Sequence, residues 1–487
     1  LTTSCYPGLI VAGMQSSDGK TAITCMLLAA LRARGVPVQP FKVGPDFIDP
    51  GYHSRIAGVT ARNLDAWLMG DDGIIEEVLA AGRDRVSIVE GVMGLFDGSD
   101  ARSDEGSTMA VARLLDRPVV LVVTAKKSGR SLAVALRGFV QEAGPDRIVG
   151  VILNEVSGSS HTEYLREAIQ PLAVPVLGAL PCCPELAWQE RHLGLQASQE
   201  YQLPSWQALA SLAEQHLDMS AILELAWSVP RLRGRPGRDR EALLAADRTY
   251  SSSDRNSSLQ DAQVGLASEA RSKLRVGVAM DEAFHFYYQA NLDYLTNSGA
   301  ELIKFSPLHD SALPADLDAL FIGGGFPEIF ASQLAENSAM RAELLSAIRQ
   351  GLNCYAECGG LMLLAEELIT LDEKAYPMVG VIPGAVQMTA SLKHFGYCIC
   401  SEWKTGSAFA SYDATGPDHC FHGHEFHHSV WSGEPEQANL WSVRRKRTGG
   451  FRREGFFIPN LHASYIHLHF RTSGAVIEPF LNRERSL

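Results

Sequence analysis

The chain has 487 residues, more than one hydrophobic core accommodates, so two or three domains are expected. Hydrophobic residues make up 46% and charged residues 20%, and the net charge of −13 excludes a dedicated nucleic-acid binder, which needs a basic surface. No run approaches the ~20 apolar residues of a membrane helix, no signal peptide is expected from the opening residues, and nine cysteines in a chain this large are expected as free thiols of a reduced cytoplasmic protein.

In chain order, the apolar run Leu9–Gly13 predicts a strand, and the apolar stretch from about Thr21 to Arg34 predicts a helix. Val86–Val89, Val119–Val123 and Ile148–Leu153 are short runs rich in β-branched residues, the pattern of strands buried on both faces of a parallel sheet. Helical patterns between them predict a βαβ succession and an α/β fold. Residues 231–272 are rich in Arg, Asp and Ser and poor in large apolar residues, and are expected as a flexible linker. A second α/β pattern begins at Leu274–Met280 and continues through Ala319–Ile322 and Asn353–Ala356. From about residue 377, alternation and aromatic content predict strands that close a second domain.

Between the first strand and the first helix lies Met14-Gln15-Ser16-Ser17-Asp18-Gly19-Lys20-Thr21. Such a loop is a ready anion site, because backbone N–H groups and the helix dipole both face the ligand. Gly13, Ser16 and Gly19 frame the loop, Lys20 is the candidate for neutralising phosphates, and Thr21 the candidate for holding Mg²⁺. The strict phosphate-loop pattern wants Gly or Ala where Met14 stands. Glu90 ends a predicted parallel strand and so faces the ligand crevice as a second Mg²⁺ candidate. Asp46 and Asp49 sit in a loop framed by Gly44, Pro45 and Pro50; as residue types they fit turn formation and substrate positioning equally.

In the second half, Asn353-Cys354-Tyr355-Ala356-Glu357-Cys358-Gly359-Gly360 places Cys358 at a strand-to-helix turn. This is the setting of an exposed nucleophile, with N–H groups of the turn, Gly359 among them, forming an oxyanion hole. Gly324 and Gly325, after another strand, are candidates for the second oxyanion donor. The expected base is a distant histidine, for which His467 and His469 are candidates. The run His422–His428 lacks the helical His spacing of a metallohydrolase and is expected to line a site as loop and strand. Cys398 and Cys400 have no second close pair of metal ligands and are not expected to bind metal.

These features occur within longer stretches: QPFKVGPDFIDPGYH, RNLDAWLM, VEGVMGLFDG, ERHLGL, DEAFHFYYQANLDYL, FSPLHDSALP, GGGFPE, AECGGLMLL, GHEFHHS and ASYIHLHF. Together they resemble the cobyrinic acid a,c-diamide synthase family, tetrapyrrole-amidating synthetases with a fused class I glutamine amidotransferase domain. The resemblance implies an N-terminal P-loop NTPase-like domain of the dethiobiotin-synthetase kind over 1–230, the linker over 231–272, and a flavodoxin-like amidotransferase domain over 273–487. It implies ATP and Mg²⁺, glutamine as the nitrogen donor, a tetrapyrrole polycarboxylate as the acceptor, no nucleic-acid or membrane partner, and is compatible with a homodimer. It assigns Cys358 as nucleophile and His467 as its base. Lys20, Thr21 and Glu90 become the phosphate and magnesium residues, and Asn154 the adenine contact. Asp46, Phe47, Asp49 and Tyr52 fall in the substrate loop.

Three departures accompany the resemblance. Ser17 stands where the family has Gly, and Thr124 where it has a strand-end Asp. The linker is longer than usual. Where the common amidotransferase triad has Glu two residues after the histidine, this chain has His469, which fits the family's Cys–His pair and leaves His467 without the usual carboxylate orienter. Siroheme and nickel-sirohydrochlorin amidating enzymes share the plan and form the alternative substrate reading. A degenerate nucleotide-binding regulatory protein is the alternative from another class.

Overall fold

The computed structural model describes residues 5–183, 204–228, 273–402, 420–433, 437–447 and 449–481. The segment read as a linker and the ERHLGL stretch lie outside these residues. The chain divides into two compact units, Leu1–Gln263 and Val264–Leu487.

The N-terminal unit is built on seven strands: β1 (Gly8–Gly13), β2 (Val38–Val43), β3 (Arg62–Leu64), β4 (Val86–Glu90), β5 (Val119–Thr124), β6 (Ile148–Val156) and β7 (Val176–Pro181). They lie in the order β3-β2-β4-β1-β5-β6-β7, and every neighbouring pair is parallel. Side chains alternate across a strand, so Leu9 and Val11 enter one core while Ile10 and Ala12 enter the other. Both faces are buried, which is why these strands read as unbroken apolar runs. Helix α1 (Lys20–Ala33) covers the Leu9 face with Ile23, Met26 and Leu27. It ends where Gly35 turns to φ 67° and Val36 N–H donates to the Leu31 carbonyl, the glycine-assisted stop expected of a helix C-terminus. Helix α2 (Ile48–Ala57) follows β2 directly.

The C-terminal unit introduces β8 (Leu274–Ala279), β9 (Phe284–Phe286), β10 (Ala300–Phe305), β11 (Ala319–Ile322), β12 (Gly324–Gly325) and β13 (Asn353–Glu357). Its central sheet runs β10-β8-β11-β13, then Leu461–Ser464 and Phe456–Ile458; all pairs are parallel except the last. The other strands from residue 365 onward form two further sheets, in agreement with the alternation read there. One is an antiparallel five-stranded sheet, in which His467–Leu468 pairs with Cys420–His427 and sets His424 opposite His467. The histidine-rich run is thus a strand, and no group of metal-ligating side chains forms among the described residues. Cys398 and Cys400 are buried, their sulfurs 3.9 Å apart. No helix among the described residues is long and apolar enough to cross a membrane.

Ile88 is fully buried in β4 at the centre of the N-terminal sheet. Ile88→Ala is expected to destabilise this unit by about 2–5 kcal/mol, through lost burial and a residual cavity. Hydrogen exchange resolved over β1, β4 and β5 would read this as lower protection in that unit alone.

Candidate functional site

Parallel pairing brings the C-terminal ends of β1, β2 and β4 together, and the first constellation lies there. The loop after β1 turns through Ser17 at φ 65° and Gly19 at φ 93°, both left-handed. Ser17 therefore occupies a conformation that glycine adopts without strain, so the departure noted in the sequence carries a backbone cost. Gly19 has a second constraint: a Cβ there would lie 2.3 Å from Nδ2 of Asn154. That amide donates to the Asp18 carbonyl at 3.0 Å, so Asn154 reaches the loop from the end of β6. The backbone N–H groups of Met14 and Gln15 both donate to one Asp18 oxygen, at 2.8 and 3.0 Å. The Asp18 carboxylate thus closes the start of the loop on itself and fixes the turn that leads into the N-terminus of α1. Gly13 packs closely on this turn, and Ser16 is exposed at its tip.

Lys20 is buried and donates to the Gln15 carbonyl at 3.0 Å. Burial lowers its pKa, and the neighbouring Lys42 lowers it further. Thr21 donates to Oε1 of Glu90 at 2.8 Å, joining the two magnesium candidates in one contact.

Glu90 is fully buried, and its partners were not foreseen. Lys42 donates to its Oε1 at 2.7 Å, and Nε2 of His53 lies 2.6 Å from Oε2. Burial opposes the charge of Glu90, but Lys42 and His53 outweigh it and hold the carboxyl well below its ordinary value of 4.5. Lys42 also donates to Asp49 at 2.5 Å. Burial works against the Lys42 ammonium, yet Asp49, Glu90 and Asp46 hold its pKa above the ordinary lysine value. Asp46 is shifted upward, by burial first and then by Asp49, and one of its oxygens caps the Ile48 N–H at 2.8 Å. Of the two acids left open by composition, Asp46 caps a turn, and both stand half-buried at the edge of the Lys42 charge network. Phe47 sits half-buried at the start of α2, whereas Tyr52 is buried within the α1-side core. A lysine inside an otherwise buried strand was the available signal for Lys42, since such a charge demands partners. At Thr124, the hydroxyl donates to Glu155 at 3.0 Å, so a carboxylate does stand beside this strand end.

The second constellation lies at the end of β13. Cys358 adopts φ 49° and ψ −101° between the strand and the helix Gly359–Leu364. Its N–H donates to the Ser464 carbonyl at 2.7 Å, which fixes the turn against the neighbouring strand. The thiol is hydrogen-bonded to His467. Gly324 must lack a side chain, because a Cβ there would lie 2.7 Å from Cε1 of His467; one at Gly359 would lie 3.0 Å from the Gly325 nitrogen. The three oxyanion candidates thus converge on the Cys358–His467 pair.

The expectation that His467 lacks a carboxylate is corrected by this geometry. Oε2 of Glu357 lies 3.1 Å from Nδ1 of His467. The other Glu357 oxygen accepts from the Tyr355 hydroxyl at 2.6 Å and the Leu468 N–H at 3.2 Å. The carboxylate comes from the residue before the cysteine rather than from beyond the histidine. His469 cannot serve: both its ring nitrogens are buried without hydrogen-bond partners among the described residues. Burial alone would lower the pKa of His467, but the hydrogen bonds and charges of Cys358 and Glu357 raise it to about 10. A buried cysteine whose proton His467 can hold, beside two glycine-lined turns, can attack an amide carbonyl and stabilise the resulting oxyanion.

Two family models match the two units. Residues 9–195 match the CobQ/CobB/MinD/ParA nucleotide binding domain, and residues 275–475 the CobB/CobQ-like glutamine amidotransferase domain. The chain is thus a nucleotide-binding unit fused to a glutamine amidotransferase unit. It is 40% identical to the cobyrinate a,c-diamide synthase of Listeria innocua, over 96% of this chain and 97% of that one. The enzymes of the same name from Syntrophotalea carbinolica and Priestia megaterium are 39% and 36% identical, each over 98% of this chain and over 98% and 96% of their own lengths. The chain belongs to the cobyrinate a,c-diamide synthase family.

Lys42 and Glu90 generate a stability prediction with a definite sign. A carboxyl whose pKa is depressed on folding stabilises the fold above its unfolded value and loses that contribution as pH falls toward its folded value. The N-terminal unit is therefore expected to lose stability below about pH 4.5. Lys42→Met, which leaves Glu90 and Asp49 short of their shared cation, is expected to cost about 3–5 kcal/mol at neutral pH. Denaturant titrations across pH, with hydrogen exchange reporting on this unit, check both.

Proposed function

We propose that the chain is an ATP- and glutamine-dependent carbon–nitrogen ligase that amidates the a and c acetate carboxylates of a cobyrinic-acid-type tetrapyrrole, acting in the cytoplasm. The observation that carries this reading is a phosphate-loop unit and a Cys–His thiol unit on one chain, over the full length of which relatives of that named activity align. The domains follow as an ATP-binding synthetase over 1–230, a linker over 231–272 and a glutamine amidotransferase over 273–487.

In the C-terminal unit, His467 takes the Cys358 proton, the sulfur attacks the glutamine amide carbon, and the carbonyl electrons move to oxygen. N–H groups at Gly359 and at Gly324–Gly325 stabilise that oxyanion. His467 gives its proton to the departing nitrogen, the C–N bond breaks, and ammonia leaves a thioester. Water then attacks the thioester carbon, releasing glutamate and restoring the thiol.

In the N-terminal unit the difficulty is that a carboxylate is a poor electrophile at neutral pH. Transfer of a phosphoryl group to it supplies a leaving group; ammonia then forms the C–N bond and phosphate departs. Lys20 and the loop N–H groups framed by Gly13, Ser16 and Gly19 bear the phosphate charge. Asn154 contributes at the base-binding side. Thr21 and Glu90, with oxygens 2.8 Å apart, are the hard donors that would hold Mg²⁺, which when bound offsets phosphate charge. Lys42 and His53 keep Glu90 ionised and aimed. Asp46, Phe47 and Asp49 position the substrate carboxylate beside this network.

Cys358→Ala is expected to abolish glutamine-dependent amidation while amidation supported by high ammonia continues; persistent glutamine hydrolysis in this variant would remove Cys358 as nucleophile. Asp49→Asn is expected to slow amidation by about tenfold or more by releasing Lys42, and an unchanged rate would return that loop to a structural role. ADP release compared with cobyrinic acid and with siroheme as acceptor, with product mass counting the amides, tests the substrate. Stimulation by siroheme alone would overturn the proposed acceptor, and stimulation by neither would favour a binding protein.

A further inference from the structure

Resting on the reading of Cys358 as the glutaminase nucleophile, we infer that Glu357 is the positioning residue of that site, completing a Cys–His–Glu arrangement in which the acid precedes the nucleophile in the chain instead of following the histidine. Three contacts carry this. Oε2 of Glu357 faces Nδ1 of His467 at 3.1 Å, while the Tyr355 hydroxyl and the Leu468 N–H pin the other oxygen at 2.6 and 3.2 Å. Glu357, Tyr355 and His467 are all buried, so the carboxylate has little freedom to leave. With Nδ1 held as the donor to Glu357, the remaining nitrogen, Nε2, is the one that faces Cys358.

The backbone explains why the acid comes from this position. Glu357 ends β13, and Cys358 reverses the chain at φ 49°. Successive strand residues point to opposite faces, so the positive-φ turn at Cys358 is what lets two consecutive side chains reach one imidazole. Ser464, next in the neighbouring parallel strand, accepts the Cys358 N–H through its carbonyl; its hydroxyl donates to Glu454 at 2.6 Å, and the same glutamate accepts the Tyr465 N–H at 2.7 Å. The segment that delivers His467 is thereby locked to the segment that delivers Cys358 and Glu357.

The groups facing His467 are Cys358 and Glu357 from β13 and its turn, and His424 and His427 from the strand Cys420–His427. Burial pushes both of those histidines down to about 3, so they stay neutral. The groups that raise His467 are therefore the thiol and the carboxylate. During thioester formation His467 gives its Nε2 proton to the departing amide nitrogen, which leaves as ammonia. Glu357 holds Nδ1 in place and exchanges no proton.

The test uses the full chain. Glu357→Gln keeps shape and hydrogen-bond length but removes the charge. It is expected to lower kcat for glutamine hydrolysis by about 10²-fold or more. Because an opposite charge raises an imidazolium pKa, its loss is expected to move the alkaline limb of kcat/KM to lower pH by about one unit or more. A merely structural role would lower the rate and leave the limb in place. A wild-type limb, or a hydrolysis rate close to wild type, in folded Glu357→Gln would overturn the inference. Independently of any variant's folding, ¹⁵N-histidine NMR of the wild-type chain, assigned with His467→Gln, should show Nδ1 of His467 protonated from pH 7 to about 9; an unprotonated Nδ1 there would equally overturn it. Glutamine hydrolysis surviving Cys358→Ala would instead sink the underlying reading, whatever Glu357 does.

Discussion

Parallel pairing is the constraint on which both units depend. Strands that run in one direction place all their carboxyl ends on one edge, and the loops that leave them gather there. In the N-terminal unit this edge collects the phosphate loop after β1, Lys42 near the end of β2 and Glu90 at the end of β4. In the C-terminal unit it collects Cys358 after β13, Ser464 from the adjacent strand and the glycines after β11. The same arrangement of backbone dipoles and converging chain ends thus serves two chemistries.

Each edge carries a strand-end glutamate, and the two are handled alike. Glu90 and Glu357 are buried acids that end parallel strands, and neither is left without cationic or hydrogen-bonding partners. An isolated buried carboxylate is expensive, so each is partnered from beyond its own position: Lys42 of β2 and His53 of α2 for Glu90, His467 of a neighbouring sheet and Tyr355 of the same strand for Glu357. The cost of burial then becomes orientation, since a carboxylate held by several donors has one geometry. Glu90 presents an oxygen to Thr21, and Glu357 holds the tautomer of His467.

Each constellation includes a strained turn. Ser17 and Cys358 are non-glycine residues at positive φ, one in the phosphate loop and one at the thiol turn. Such conformations persist only where the surroundings over-determine them. At Cys358 the surroundings are identifiable: its N–H is bound by Ser464, and the carbonyl of the same residue caps the helix through Met362.

Much of this was legible in the chain itself. The β-branched runs, the Gly-Lys-Thr loop between strand and helix, and Cys358 before two glycines follow from local periodicity and turn chemistry, and local rules suffice for them. The partnerships did not follow, because they join residues far apart in sequence: Lys42 with Glu90, Asn154 with Asp18, Glu357 with His467. Spacing after the histidine suggested a missing acid, since His469 stands where one was sought, yet the acid was next to the cysteine. Sequence alone determined which elements form and which side chains are chemically able. Tertiary structure decided which of them meet, because strand order and the reversal at Cys358 are set by packing both faces of a sheet, an energy that no short window of residues contains.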